Sequence, residues 1–181
     1  LYLQKELKYF LLLTMFDISL ELISDSDFND IFKLTTNINV MKWVGNRKIW
    51  TKDKVNNFIK YNKEELNDKT VYFWKIMKKN TFIGIIGIHK YENENEYYRT
   101  IFLHPEHQGK NYAYQSNLLA FCLIYKENPN IKYVYSQSLQ DNKKIKKLLK
   151  RLHFDDTKDV ITRSNRIYDI YKSKPLVFYK Y

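Results

Sequence analysis

With four glycines, three prolines and one cysteine in 181 residues, the chain has few residues that interrupt secondary structure and none with which to close an internal disulfide. The scarcity of Gly and Pro, without any Gly/Ser/Pro-rich linker or internal repeat, argues against a second domain on a flexible tether and against a solenoid. The lone Cys122 excludes a disulfide-stapled scaffold and suits a reducing compartment, so a cytoplasmic location is expected. Between Phe121 and Leu123 it reads as a small buried apolar residue. Long hydrophobic runs are missing too. "LKYFLLLTMF", residues 7–16, is interrupted by Lys8, is too short for a bilayer and is followed by no small-residue cleavage site. No membrane association is expected, and residues 1–16 read as an N-terminal extension or added segment, with a docked helix as the alternative. Residues 17–181 read as one domain.

What is present is 44% hydrophobic and 28% charged residues, the balance of a single compact core. The net charge of +11 invites a nucleic-acid reading. That reading is discounted because the chain is also rich in Asn, Ile, Tyr and Phe, the bias of an AT-rich coding sequence. A polyanionic small ligand would account for part of the charge equally well.

Periodicity orders the elements. "ISLELI" (18–23) alternates as a strand, and "SDSDFNDIFKLTTN" (24–37) begins a helix with Ser24 as N-cap and Asp27 in a capping-box relation. After the loop "MKWVGNRKIW", Thr51 caps a second helix (51–66) that places Val55, Phe58 and Ile59 on one face. Trp43 and Trp50 in the loop read equally as packing anchors or as a substrate wall. The strands "VYFWKIM" (71–77), "TFIGIIGIHKY" (81–91) and "YYRTIFLH" (97–104) form an antiparallel meander turning at Lys78–Asn80 and at "ENENE". A buried helix (112–127), a strand (132–139), a basic amphipathic helix (141–154) and one or two closing strands (159–173) follow. On the basic helix, Ile145, Leu148, Leu149 and Leu152 make an apolar stripe, and six basic residues are expected to face solvent. The expected fold is α+β, a mixed, mostly antiparallel sheet flanked by helices in a single domain.

One of the four glycines stands in "LHPEHQGKNYAYQ" (103–115), between the meander's last strand and the buried helix. Glycine there lets backbone N–H groups approach a ligand, and a helix start attracts an anion. In this segment and its strand–helix setting, the chain from about residue 17 to 172 resembles the GNAT N-acetyltransferases, specifically the branch with the ribosomal-protein N-terminal acetyltransferases and some aminoglycoside acetyltransferases. His104, Pro105, Glu106, His107, Gln108, Gly109, Lys110, Asn111, Tyr112 and Ala113 are similar to that branch's "HPeyqGkGyA". "FIGIIGI", and "DN" ahead of a helix ending in "LHF", are softer matches.

The resemblance implies that the anion is the pyrophosphate of acetyl-CoA, held by backbone N–H groups from Gly109 to Ala113 with Lys110 adding charge. It implies that Ile101, Phe102 and Leu103 pair with the pantetheine arm, that Asn142 hydrogen-bonds that arm, and that a primary amine, peptide or small molecule, is acetylated by direct attack on the thioester. The chain departs from the family pattern at several positions. Asn111 replaces the motif's middle Gly, and Asn tolerates left-handed backbone better than other side-chained residues. Leu149 stands where many members carry a tyrosine acid, His153 replaces a Gly, and Tyr98 and Thr100 replace Glu and Gly.

Candidate bases are Glu96 or Tyr98 through water, or His89 at its strand end. A backbone N–H near Phe102 or Leu103 is expected to serve the oxyanion. Bland readings are a solvated turn residue for Glu96, a packed tyrosine for Tyr98 and an edge residue for His89. A catalytically weak coenzyme-binding relative is the alternative, ahead of a nucleic-acid module on "NKKIKKLLKR". No metal is expected: His104 and His107 are broken by Pro105 and lack a Cys/His cluster. The protein is expected to be a monomer or homodimer.

Overall fold

A computed structural model describes residues 16–174, apart from residues 92 and 94. The expected extension, except Phe16, lies outside the described residues, as do residues 175–181.

Strand β1 (Ser19–Leu22) leads into a 3₁₀ turn and helix α1 (Phe28–Thr36). Ser24 is the N-cap as expected, and the capping box with Asp27 is formed: the Asp27 carboxylate accepts the Ser24 N–H at 2.8 Å, and the Lys75 ammonium at 2.9 Å besides. The first turn is 3₁₀ before the helix proper begins at Phe28. Burial pushes the Asp27 carboxyl up, but the hydrogen bonds from Lys75 and Ser24 outweigh it and hold the group below its ordinary value. The stretch between the first helix and the loop forms a short helix, α2 (Ile38–Met41), capped by Asn37, whose Oδ1 accepts the Asn39 N–H at 3.0 Å. Helix α3 (Lys52–Asn67) starts at Thr51, whose hydroxyl accepts the Lys54 N–H at 3.2 Å.

The meander is β2 (Val71–Lys78), β3 (Thr81–Lys90) and β4 (Glu96–Leu103). Then come α4 (Tyr112–Glu127), β5 (Tyr133–Leu139), α5 (Lys143–Arg151) and a closing hairpin of β6 (Asp155–Arg163) and β7 (Arg166–Ser173). Together they make a seven-stranded sheet in the order β1-β2-β3-β4-β5-β7-β6, in which only β4 and β5 are parallel.

Each face of the central strands carries its own core, which explains the nearly continuous apolar runs of β2 and β3. On one face Ile83, Ile86 and Ile88 pack under Leu119, Phe121 and Ile124 of α4 and Leu149 of α5. On the other, Phe73, Ile85 and Phe102 meet Ile31, Leu34, Val55 and Ile59 of α1 and α3. Full burial of one such side chain contributes about 1.5–3 kcal/mol.

The feature that positions the site is a fork. Strands β4 and β5 pair only at Glu96↔Tyr133, Tyr97↔Val134 and Tyr98↔Tyr135. Beyond Tyr98 the two strands part, and a cleft opens between them.

Candidate active site

The cleft has a volume of about 980 Å³ and is lined along one wall by Arg99 to Leu103 of β4 and along the other by Gln137, Ser138 and Leu139 of β5. Its β4 wall is an unpaired strand edge. Hydrogen bonds to β3 alternate along β4: the His104 N–H reaches the Ile83 carbonyl at 3.0 Å and the Glu96 carbonyl accepts the Tyr91 N–H at 2.7 Å, so even-numbered residues face β3. The main-chain groups of Ile101 and Leu103 therefore point into the cleft. Phe102 is a correction: its N–H faces β3, and its ring lies in the opposite core, edge-on to Trp50 at 6.2 Å. Of the two expected oxyanion donors only Leu103 faces the cleft, and Ile101 joins it.

At one end the cleft meets the glycine junction. Gly109 has φ +77° and Asn111 φ 68°, with Asn111 as the N-cap of α4. The left-handed turn aims the first N–H groups of α4, at Tyr112 and Ala113, outward, where the helix itself offers them no acceptor. Gln108 does something the sequence did not suggest: its Nε2 donates to the Leu103 carbonyl at 3.1 Å and braces the junction against β4. Tyr112 is buried in the core with only its backbone at the helix start, and Lys110 is exposed outside the lining. Asn142 caps α5, its Oδ1 accepting the Ile145 N–H at 3.3 Å, and its side chain borders the cleft.

The basic helix needs a second correction. Its lysines do not all simply face away into solvent, because Lys144, Lys147 and Arg151 line the cleft. Arg151 lies 3.8 Å over the Tyr114 ring and donates to Asn111 Oδ1 at 2.6 Å. Helical periodicity separated the apolar stripe from the charges; it carried no information about which charged flank would lie beside α4. Together with the α4 terminus these cations form a rim suited to a polyanion.

Asn111 supplies a prediction. Because its backbone already occupies a conformation that glycine adopts without cost, Asn111→Gly is expected to leave coenzyme affinity unchanged or tighten it by up to about 1 kcal/mol, while releasing Arg151. Calorimetric titration with CoA checks this; a large weakening would assign the Asn side chain a direct contact.

The opposite end of the cleft holds His89 and Tyr98, with Trp43, Val44, Gly45 and Tyr168. His89 stacks on Tyr98 at 6.0 Å, and burial pushes its imidazole below the ordinary histidine value. Tyr98 is held above the ordinary tyrosine value chiefly by burial, against the opposing Gln137 hydrogen bond of 3.0 Å. At neutral pH it is a phenol, whose oxygen accepts from Gln137 Nε2 and whose O–H can orient a water. Glu96 is outside the lining, at the start of β4, where its carboxylate accepts from Asn93 Nδ2 at 3.0 Å.

Arg99 carried no signal in the sequence. Only 5% exposed, it fills the fork just past Tyr98, donating from Nε to Asn117 Oδ1 and from Nη1 to Ser136 Oγ at 2.9 Å. Burial pushes its guanidinium down to about 9, which still leaves it cationic at pH 7. No Asp or Glu occurs among the described residues that line the cleft. Nor do the described residues contain a group of three or more His, Cys, Asp or Glu that could hold a metal, or a helix long and apolar enough to cross a membrane.

Comparison with known proteins places this geometry. The family described as "Acetyltransferase (GNAT) domain" matches residues 17–155. A search of curated proteins gives no match. Among solved structures the chain is similar to the spermidine N-acetyltransferase of Vibrio cholerae in complex with CoA and spermine, at 16% identity over 91% of this chain and 99% of that one, with a TM-score of 0.76. It is also similar to RimL, a ribosomal L7/L12 α-N-protein acetyltransferase in complex with coenzyme A, at 14% identity over 87% and 93% of the two chains, TM-score 0.76. A GNAT-family acetyltransferase from Bacillus anthracis aligns at 16% identity over 88% and 95%, TM-score 0.73. At these identities the neighbours establish the fold, and the family match over residues 17–155 establishes membership: the chain belongs to the GNAT acetyltransferase family.

Proposed function

We propose that the amine this acetyl-CoA-dependent N-acetyltransferase acetylates is an α-amine, at a protein N-terminus or on an amino compound of similar pKa, which attacks the thioester directly. The observation that carries this is the lack of Asp and Glu among the described residues lining the cleft. A lysine-type amine, with reference pKa near 10.4, costs roughly 4–5 kcal/mol to deprotonate at pH 7, whereas an α-amine near 8 costs about 1–1.5 kcal/mol. A cleft without a carboxylate base suits the second.

The residues divide by position. The N–H groups at the start of α4, from Gly109 to Ala113, hold the coenzyme pyrophosphate, with Arg151, Lys144, Lys147 and Lys110 supplying positive charge. The Ile101 and Leu103 edge pairs with the pantetheine arm, which also meets the free Nδ2 of Asn142, and the N–H groups of that edge stabilise the oxyanion. His89, neutral because burial lowers it, takes the amine proton through water, and the Tyr98 hydroxyl orients that water. On this reading α5 serves the coenzyme and not nucleic acid.

The test is acetyl transfer from acetyl-CoA to peptides with free or blocked N-termini, beside lysine peptides and an aminoglycoside, from pH 6 to 9. Free N-termini are expected to react fastest. Because burial holds His89 below its ordinary value, its titration falls toward the acid end of this range, and the rise in rate at neutral pH and above should follow the amine, with a pKa near 8. Faster acetylation of lysine or of the drug overturns the proposal, and coenzyme binding without transfer to any amine favours a binding-only protein.

A further inference from the structure

The acceptor half of the cleft carries a charge pattern that the coenzyme does not require. Cations at the other end surround the start of α4, but Lys90 and Arg163 border the half that holds Tyr91, Tyr98 and Trp43. Four cationic side chains belong to this half and the adjoining fork, and two of them are already committed to protein acceptors. Arg99 is buried on Asn117 and Ser136. Arg166 donates to the Gly45 carbonyl at 3.1 Å and to the Lys42 carbonyl at 3.3 Å. With Tyr168, whose hydroxyl reaches the same Gly45 carbonyl at 2.9 Å, Arg166 fixes the β6–β7 hairpin tip to the Trp43–Gly45 wall.

Arg163 pairs in register with Arg166 on that same tip, so the tether that holds Arg166 also holds Arg163 at the mouth. Its charge acts at the Tyr98 hydroxyl as a small opposing influence, while burial keeps that phenol above its ordinary value. Lys90, the last residue of β3, is exposed and borders the cleft, but as a chain neighbour of His89 on a strand it projects from the opposite sheet face. Arg163 is thus the solvated cation beside the groups proposed to receive the amine, where Tyr91 and Tyr98 meet edge to face at 4.6 Å. Such a mouth repels a polycation and attracts an anion, and the overall charge of +11 adds to both effects.

We infer that the acceptor carries a carboxylate within about one residue of its reactive amine, and that Arg163 binds it. This rests on the α-amine reading above and narrows it. The carboxylate can be the α-carboxylate of a free amino acid or the side chain of an acidic second residue in a peptide. The two sources share one chemistry, an amine and a carboxylate presented together. Arg163 is a specificity residue here: it touches the acceptor away from the reacting atoms, so its loss should act on acceptor KM and leave coenzyme KM alone.

The experiment compares matched acceptors with acetyl-CoA: peptides with Asp, Ala or Lys in second position, and free amino acids beside their amides. The carboxylate-bearing member of a pair is expected to show an acceptor KM at least about tenfold lower at low salt, with the ratio shrinking as salt rises. Arg163→Gln should abolish the ratio by raising KM only for the acidic acceptor, and Arg163→Lys should restore part of it. Preference for Asp peptides without preference for free amino acids assigns the site to protein N-termini, and the reverse assigns it to amino acids. If α-amines are acetylated with no charge preference, or if Arg163→Gln leaves the ratio intact, this inference fails while the α-amine reading stands. If only lysine or aminoglycoside amines react, the α-amine reading itself has failed.

Discussion

Gly109→Trp is expected to weaken CoA binding at least about a hundredfold, about 2.7 kcal/mol, and to remove the rise in melting temperature that CoA gives the unsubstituted protein. A Cβ at Gly109 would meet nothing within 4 Å, so the protein has room for a side chain there. The indole would stand on the ligand side of the junction, over the N–H groups at the start of α4. Holding a non-glycine residue at φ +77° adds roughly 1–2 kcal/mol of strain, which lowers stability with or without ligand. The two effects separate in a titration: strain shifts the melting temperature at zero CoA, whereas blockade flattens its dependence on CoA. For the unsubstituted protein, ligand at a hundred times its Kd should add about 2.7 kcal/mol of stability. An equal CoA-dependent shift in both proteins would show that the junction is not the anion site.

Gly84→Ala is expected to cost about 3 kcal/mol of stability or more, and to weaken CoA binding through the same displacement. An added Cβ would lie 2.2 Å from the Phe102 carbonyl oxygen and 2.8 Å from Leu103 Cδ2. The first of these is backbone, so relief requires parting β3 from β4, and insertion into a well-packed core already costs about 1–3 kcal/mol where side chains alone can move. Gly87 differs, because the three atoms nearest its added Cβ all belong to the Phe73 ring, a side chain and not backbone. Since Phe102 lies between the two residues whose main-chain groups border the cleft, movement at Gly84 is transmitted to the coenzyme edge. Urea unfolding should show a lower midpoint at unchanged slope, with a melting temperature depressed by roughly 6–12 °C. A loss below about 1 kcal/mol would mean that β3 and β4 are less closely apposed than described.

Much of this protein was determined by local sequence. The apolar residues of 112–127 predict a buried helix, and α4 spans Tyr112–Glu127. The Thr51 hydroxyl caps α3, and Ile145, Leu148, Leu149 and Leu152 set the buried face of α5, because caps and periodicity act within one or two helical turns. The strand–glycine–helix order of 103–115 located the candidate coenzyme end for the same reason. Tertiary structure decided the rest. The fork after Tyr98 depends on where β5 stops pairing with β4, a contact between segments more than thirty residues apart. With that edge left open, the β3–β4 register makes Ile101 and Leu103, not Phe102, the residues that offer their main chain to the cleft. Asn111 and His153, standing where the family pattern has glycine, both keep positive φ, at 68° and 56°, because the neighbouring helix ends impose the turn whatever residue occupies it. Arg99 carried no signal at all, and Arg151 was expected among the solvent-facing charges of the basic helix. Only the packing of α4 against β4, β5 and α5 turns one into a buried brace and the other into part of the cationic rim, since one-dimensional periodicity assigns a residue to a face but not to the neighbour that face will meet.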